Sequence, residues 1–184
     1  MKLFEPDKSW SLFLDRDGVL NVRLVDDYVK IPDEFTWEDG ALESLAIFDK
    51  IFGAIVVVTN QQGIGKGLMT EDELMLIHKK MLADAEKAGG RIDKIYFAPN
   101  LKEENSIYRK PGVGMALKAR KDFPDIRFKK SVMVGDTFND MVFGRKLGMK
   151  NVLISDHNES VTQKAGLVDL HFNSLKEFAD YLKK

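Results

Sequence analysis

The chain has 184 residues, 44% of them apolar and 31% charged, with 28 basic against 29 acidic side chains, a net charge of −1 and no cysteine. The length suits one compact domain with a sizeable core, and the near-balanced charge gives no electrostatic footprint for nucleic acid or an anionic membrane surface. Disulfides and thiolate zinc sites are excluded, no run approaches the ~18 apolar residues of a transmembrane helix, and the start Met1–Lys8 carries acids and a proline where a signal peptide would be apolar, so a reducing cytoplasmic setting is the expectation.

Ser11-Leu12-Phe13-Leu14 is an apolar run that reads as a strand and leads into Asp15-Arg16-Asp17-Gly18-Val19. Two carboxylates two residues apart at the end of a buried strand suit phosphoryl transfer. One attacks phosphorus and the other handles the leaving-group proton. Alone, so short a motif occurs by chance. A helix opens at Asp39 or Gly40, runs through Leu42, Leu45, Ala46 and Phe52, and stops at Gly53. Ala54-Ile55-Val56-Val57-Val58 is β-branched, too short for a helix and apolar on both faces, as a central parallel strand requires. It runs into Thr59-Asn60-Gln61-Gln62-Gly63-Ile64-Gly65-Lys66-Gly67. There a hydroxyl and an amide can donate to a phosphate oxygen, and glycines let the backbone approach a ligand. A plain glycine-rich loop explains this stretch equally well on its own.

Thr70-Glu71-Asp72-Glu73 is a capping box, and the helix it opens buries Leu74, Ile77, Met81 and Ala85 before ending at Gly89-Gly90. Ile92 to Phe97 reads as a strand. In Tyr108-Arg109-Lys110-Pro111-Gly112 a fixed ammonium at Lys110 can stabilise a phosphoryl group, and Arg109 offers a planar fork to a substrate oxygen or phosphate. An Arg-Lys pair is more often a solvated surface, but the rigid Pro-Gly turn that follows favours a functional one. A helix after Gly112 ends before Pro124; Ser131 to Val134 is a strand running into Gly135-Asp136-Thr137-Phe138-Asn139-Asp140. An Asp here facing Asp15 and Asp17 would complete a set of hard oxygen ligands for Mg²⁺, although an isolated Asp136 is better explained as a helix cap. Asp140 can hold a metal water, brace Lys110 or sit on the helix's first turn. That helix spans about Asn139 to Leu147 and ends at Gly148. Asn151 to Ile154 is a strand, and Ser174-Leu175-Lys176-Glu177 is a second capping box that starts the terminal helix.

Strands alternating with helices imply an α/β fold with a doubly wound, mostly parallel sheet and helices on both faces. Ligands in such sheets bind at the carboxyl ends of the strands. Asp15, Thr59, Arg109, Lys110 and Asp136 all fall on that edge, and this convergence is the main argument that the set is functional. No long insertion follows the first motif or the Thr59 strand, so residues 1–184 form one domain with no large cap.

These four elements, in this order, resemble the haloacid dehalogenase superfamily of phosphatases over roughly residues 11–150. The flanking text, D-R-D-G-V-L-N, Asp27-Tyr28-Val29, T-N-Q-Q-G-I-G-K-G, R-K-P-G-x-G-M and V-G-D-x-x-x-D, is similar to the D-glycero-D-manno-heptose 1,7-bisphosphate 7-phosphatase and histidinol-phosphatase branch. The resemblance implies a two-step hydrolysis of a small sugar phosphate. Asp15 is the nucleophile and Asp17 the acid and then base, while Thr59 and Lys110 hold the phosphoryl oxygens. Mg²⁺ is held by Asp15, Asp136 and the Asp17 carbonyl. Substrate contacts fall to Asn60, Gln61, Gln62, Arg109 and the segment Arg23 to Tyr28, with Asp26 and Tyr28 foremost. Many members of this branch carry a zinc loop before R-K-P. Here Ala98, Asn100, Ser106 and Tyr108 stand at its ligand positions, so zinc is not expected and Pro99 with local packing must order the loop. The segment after Asn21 is about one residue longer than the family pattern.

His78, His157 and His171 are expected at the surface or in packing, and Trp10 and Trp37 in packing rather than flanking the site. Met69, Met75, Met81 and Met115 fit helix cores, and Lys129, Lys130, Lys183 and Lys184 fit solvated ends. Four functions compete. They are a heptose-bisphosphate phosphatase, a histidinol-phosphate phosphatase, a nucleic-acid 3′-phosphatase (Y-R-K-P-x-x-G-M also resembles polynucleotide kinase/phosphatases) and a non-catalytic phosphate-binding module. A monomer with no nucleic-acid or membrane partner is expected.

Overall fold

The computed structural model describes residues 2–25, 27–156 and 166–183. Six strands, β1 (Ser11–Leu14), β2 (Ala54–Asn60), β3 (Lys94–Ala98), β4 (Ser131–Gly135), β5 (Lys150–Ile154) and β6 (Leu170–Phe172), form one sheet in the order β3-β2-β1-β4-β5-β6. Every pairing is parallel. Among the described residues the helices are α1 (Ala41–Ile51), α2 (Gln62–Gly65), α3 (Glu71–Lys87), α4 (Gly114–Asp122), α5 (Phe138–Leu147) and α6 (Leu175–Lys183).

Strand alternation divides the core in two. Leu12 and Leu14 of β1, with Ile55 and Val57 of β2, face a cluster that takes in α1, α3 and α6. Phe13, Val56 and Val58 face the other way, onto Met115, Ala116 and Ala119 of α4 and Phe143 of α5. Both faces of β1 and β2 are therefore buried, which is why their sequences are unbroken apolar runs rather than alternating ones. All four β1 residues are buried.

Thr70 caps α3 with the expected reciprocal box: its hydroxyl accepts from Glu73 N–H while the Glu73 carboxylate accepts from Thr70 N–H. At α6 only half the expected box forms. Ser174 Oγ accepts from Glu177 N–H, but the Glu177 carboxylate turns back to the Asn173 N–H and side-chain amide, which compete for it. Gly148 ends α5 at φ 73°, a left-handed conformation that a side chain would strain. Three elements were not anticipated: α2 inside the glycine-rich loop, β6, and the last two residues of β2, which carry Thr59 and Asn60 within the strand. Met69, Met81 and Met115 are buried as expected, but Met75 is not. It is 53% exposed because its place on α3 faces away from the sheet. Trp10 stacks on Phe4, and Trp37 packs edge-on to Phe35 and donates to Asp84. Among the described residues between β1 and α1, a 3₁₀ turn forms at Pro32–Glu34, and isolated bridges link Asn21 to Asp17 and Trp37. His157 and Lys184 lie outside the described residues. No helix among the described residues is long and apolar enough to cross a membrane.

Candidate active site

The switch in strand order lies between β1 and β4, where the chain leaves β1 toward β2 on one side and enters β4 on the other. Asp15 follows β1 directly and its N–H donates to Val134 O of β4, which locks it into the crevice. Asp15 Oδ1 accepts from Arg16 N–H at 2.7 Å and lies 2.8 Å from Lys110 Nζ. Lys110 Nζ is also 2.5 Å from Asp140 Oδ1. All three groups are almost wholly buried. Asp140 thus takes two of the three roles open to it. It braces Lys110, and from the first turn of α5 its other oxygen accepts from the Thr137 backbone N–H at 3.0 Å.

The burial leaves a surplus of negative charge. Desolvation, then the nearby Asp140 carboxylate, pushes the Asp15 carboxyl up to about 7, with Lys110 pulling the other way. Desolvation and the Asp15 and Asp140 charges likewise raise Asp136 well above the carboxylate range. Asp15, Asp136 and Asp140 each offer a carboxylate oxygen within 4.8 Å of the others. The Arg23 Nη2 group donates both to Asp17 O at 3.1 Å and to Asp136 Oδ1 at 3.0 Å, so the carbonyl and carboxylate expected to share a cation already converge on one. Hard oxygen donors in charge surplus fit Mg²⁺. Gly18 has to be glycine here. Its φ is +83°, and an added Cβ would lie 2.2 Å from Asp136 Oδ2.

The Asp17 side chain stands apart from that acidic group. Its Oδ1 accepts from Arg16 Nη2 at 2.8 Å and Asn21 Nδ2 at 3.1 Å; its Oδ2 accepts from Gln61 Nε2 at 2.8 Å. These donors outweigh burial and hold the carboxyl below its ordinary value. Gln61 Nε2 also donates to Thr59 Oγ1 at 2.8 Å, which leaves the Thr59 hydroxyl hydrogen for another acceptor.

The cavity above these groups has a volume of about 370 Å³, and Asp15, Asp17, Thr59, Asn60, Arg109, Lys110 and Tyr28 line it. Two residues expected at the substrate lie elsewhere. Gln61 is fully buried beneath the cavity, spent on Asp17 and Thr59. Gln62 accepts from Lys102 N–H and reaches the Tyr28 hydroxyl at 3.4 Å, so it braces a wall residue. Asn60 lines the cavity, but its amide clasps both backbone groups of Lys110, at 2.9 and 3.1 Å. Asp26 lies outside the described residues. Lys66, also on the lining, was not singled out in the sequence; its ammonium lies over the Tyr28 ring, 5.3 Å from the centroid. The signal was a cation inside the glycine-rich loop. With Arg23 and Arg109 it makes three cations on the lining besides Lys110.

The 98–108 loop is held by hydrogen bonds, most of them to its backbone. Gln61 N–H donates to Ala98 O, Gly65 N–H to Pro99 O, and Arg109 Nη1 to Asn100 O. The Glu104 carboxylate accepts from both Asn100 Nδ2 and Leu101 N–H.

A family model described as polynucleotide kinase 3 phosphatase matches residues 14–178. The chain is 35% identical over 170 residues to a D-glycero-alpha-D-manno-heptose-1,7-bisphosphate 7-phosphatase of Mycobacterium bovis, covering 92% of this chain and 90% of that protein. It is 38% identical over 162 residues to the protein of the same name from Burkholderia mallei, covering 83% and 84%. Among solved structures, a D,D-heptose 1,7-bisphosphate phosphatase from B. bronchiseptica, complexed with magnesium and phosphate, superposes with a TM-score of 0.84 at 28% identity, covering 95% of this chain and 98% of that one.

Proposed function

The chain belongs to the polynucleotide kinase 3 phosphatase family and is a phosphatase of the haloacid dehalogenase fold, and from that premise we propose that it removes the 7-phosphate of D-glycero-D-manno-heptose 1,7-bisphosphate with Mg²⁺. One observation carries the reading. A strand-end carboxylate is fixed against a buried lysine, in a cavity whose lining also holds Arg23, Lys66 and Arg109. One cation set suits the phosphoryl group that is transferred and the other a second phosphate. Proteins named for this reaction are 33–38% identical over most of the chain.

Asp15 Oδ1 is anchored, so Oδ2 attacks phosphorus in line and the bond to the sugar oxygen breaks, leaving an aspartyl-phosphate. Asp17 gives its proton to the departing oxygen and then takes one from the water that attacks the intermediate. Both Asp17 oxygens accept hydrogen bonds in the empty site, so its acid form arises as the anionic phosphate seats beside it. Lys110 and the Thr59 hydroxyl hold the phosphoryl oxygens as charge gathers on them. Asp15, Asp136 and the Asp17 carbonyl hold Mg²⁺, with Asp140 beside them; when bound, the cation offsets the charge of these carboxylates and of the incoming phosphate. Arg109, Lys66 and Tyr28 orient the sugar end. We further propose a monomer of one catalytic domain, acting in a reducing cytoplasm, with no zinc in the 98–108 loop.

The test is phosphate release with Mg²⁺ from both anomers of the heptose bisphosphate, beside histidinol phosphate and a 3′-phosphorylated oligonucleotide, with Asp15→Asn as control. Preference for the heptose bisphosphate supports the proposal. Preference for the oligonucleotide, falling steeply with salt, would favour the activity named in the family model instead. The net charge of −1 argues against that outcome.

A further inference from the structure

Arg16 is among the largest fully buried side chains in the protein, 1% exposed, yet only its Nη2 finds an acceptor, on Asp17 Oδ1. Its Nε and Nη1 are unpaired. A buried guanidinium with idle donors is costly and needs acceptors close by. Three buried acceptors nearby are idle too: Asn21 Oδ1, Gln61 Oε1 and His78 Nε2. Asn21 and Gln61 spend their amide nitrogens on Asp17, so each carries its idle oxygen on a residue that already touches that carboxylate. His78 reaches the same place from α3. It is 2% exposed, edge-on to Phe97, and close enough to feel both the Arg16 and the Asp17 charge. Donors and acceptors therefore match in kind: Asn21 and Gln61 touch the Asp17 carboxylate, and His78 lies within range of its charge and that of Arg16. Enclosed water in such a place makes about three hydrogen bonds to groups left unpaired.

We propose that His78 is a positioning residue: its neutral ring offers Nε2 to Arg16 through one enclosed water, which fixes the guanidinium and, through it, the carboxylate of Asp17. Burial first, and the Arg16 charge second, push the imidazole down to about 3, so the ring is an acceptor and never a second cation beside Arg16. The bond requires the tautomer with the proton on Nδ1. His78 touches no reacting atom. It acts by holding Arg16 Nη2 on Asp17 Oδ1, while Asn21 and Gln61 make the other bonds to the carboxylate.

The inference rests on the proposed role of Asp17 as the acid that serves the leaving oxygen, and the test separates the two. A sugar alkoxide needs a proton to leave and an activated aryl oxide does not. His78→Leu should therefore lower turnover of the sugar phosphate by ~10-fold while leaving the burst of aryl oxide from an activated aryl phosphate unchanged; His78→Gln, which keeps an acceptor, should recover most of the loss. Asp17→Asn should show the same leaving-group selectivity more strongly. If Asp17→Asn lacks it, the role of Asp17 fails; if Asp17→Asn shows it and His78→Leu does not, or if His78→Gln behaves like His78→Leu, the role of His78 fails. The wild-type ring nitrogens give a reading that depends on no variant. At neutral pH, ¹⁵N shifts should show Nδ1 protonated and Nε2 bare, and a protonated Nε2 overturns the inference.

Discussion

Asp15→Asn should abolish turnover and, without divalent cation, stabilise the protein. The first effect follows from losing the nucleophile and should be at least ~10⁴-fold. The second follows from burial. The folded protein holds the Asp15 carboxyl at about 7 against an ordinary 3.8, so above pH 7 its charge costs the fold ~4 kcal/mol. Asparagine keeps the shape and an oxygen to accept from Arg16 N–H and Lys110, and the value of about 7 already counts the pull of Lys110 on the charged form. Allowing about half the cost for the poorer fit of an amide NH₂ where a carboxyl oxygen stood leaves a net gain of ~2 kcal/mol, or ~4–8 °C in Tm for a chain of this size. The sign depends on pH. A carboxyl raised on folding makes the native state bind more protons than the unfolded chain between pH 3.8 and about 7, so wild-type stability falls as pH rises through that window. The variant's advantage should be absent below about pH 4 and full above about pH 7. Thermal unfolding of both proteins in chelator at several pH values measures it. A variant less stable than wild type at pH 8, or an advantage that does not vary with pH, would refute the account of the site as an excess of buried negative charge.

Lys110→Met removes the one fully buried cation between Asp15 and Asp140 and should cost ~3–5 kcal/mol in urea unfolding at neutral pH; a loss under ~1 kcal/mol would mean that the pair contributes little. Adding Mg²⁺ should raise the Tm of wild type by mass action, equivalent to ~2.7 kcal/mol at a hundred times the dissociation constant, and Asp136→Asn should remove most of that rise. Gly18→Ala places a methyl on Asp136 Oδ2 at a left-handed φ, so calorimetry should find Mg²⁺ binding weakened by ~10-fold or more. Gln61→Leu should lower kcat by ~10²-fold with KM little changed, because Gln61 bonds Asp17 and Thr59 rather than substrate; a rise in KM alone would restore it to the substrate.

The fold was legible where burial and periodicity say the same thing. The runs Leu12–Leu14, Val56–Val58 and Val132–Val134 are apolar on both faces because both faces are covered, and α3 shows its start in Thr70 and its buried stripe in Leu74, Ile77 and Met81. Legibility failed where a polar residue sits in regular structure or a short element lacks a pattern. Thr59 and Asn60 read as loop, yet they extend β2 by pairing with Phe97 and Ala98. β6 has only three residues, none of them fully buried, and nothing in Leu170-His171-Phe172 marks it as a strand until Val152–Ile154 lies beside it. Met75 departs for the opposite reason: its residue type suits the core, but its position on α3 faces solvent.

The site shows the same division more sharply. Motif spacing brought out the groups that must meet one atom: Asp15, Lys110 and Asp136 converge because each lies at or beside the carboxyl end of a parallel strand. Spacing said much less about which groups serve those groups. Asn60, Gln61 and Gln62 are adjacent in sequence and were all assigned to substrate. Their side chains diverge, so one clasps the Lys110 backbone, one bridges Thr59 to Asp17, and one braces Tyr28. In sequence, Arg16 is only the residue between two carboxylates, and His78 fits the surface or packing. Both are buried, and only a count of unpaired donors and acceptors brings them into view. Chemistry at a phosphoryl group constrains residue type at fixed positions, so it leaves a motif. Support for that chemistry constrains only the balance of hydrogen bonds, which many residue pairs can meet, and so it must be read from contacts.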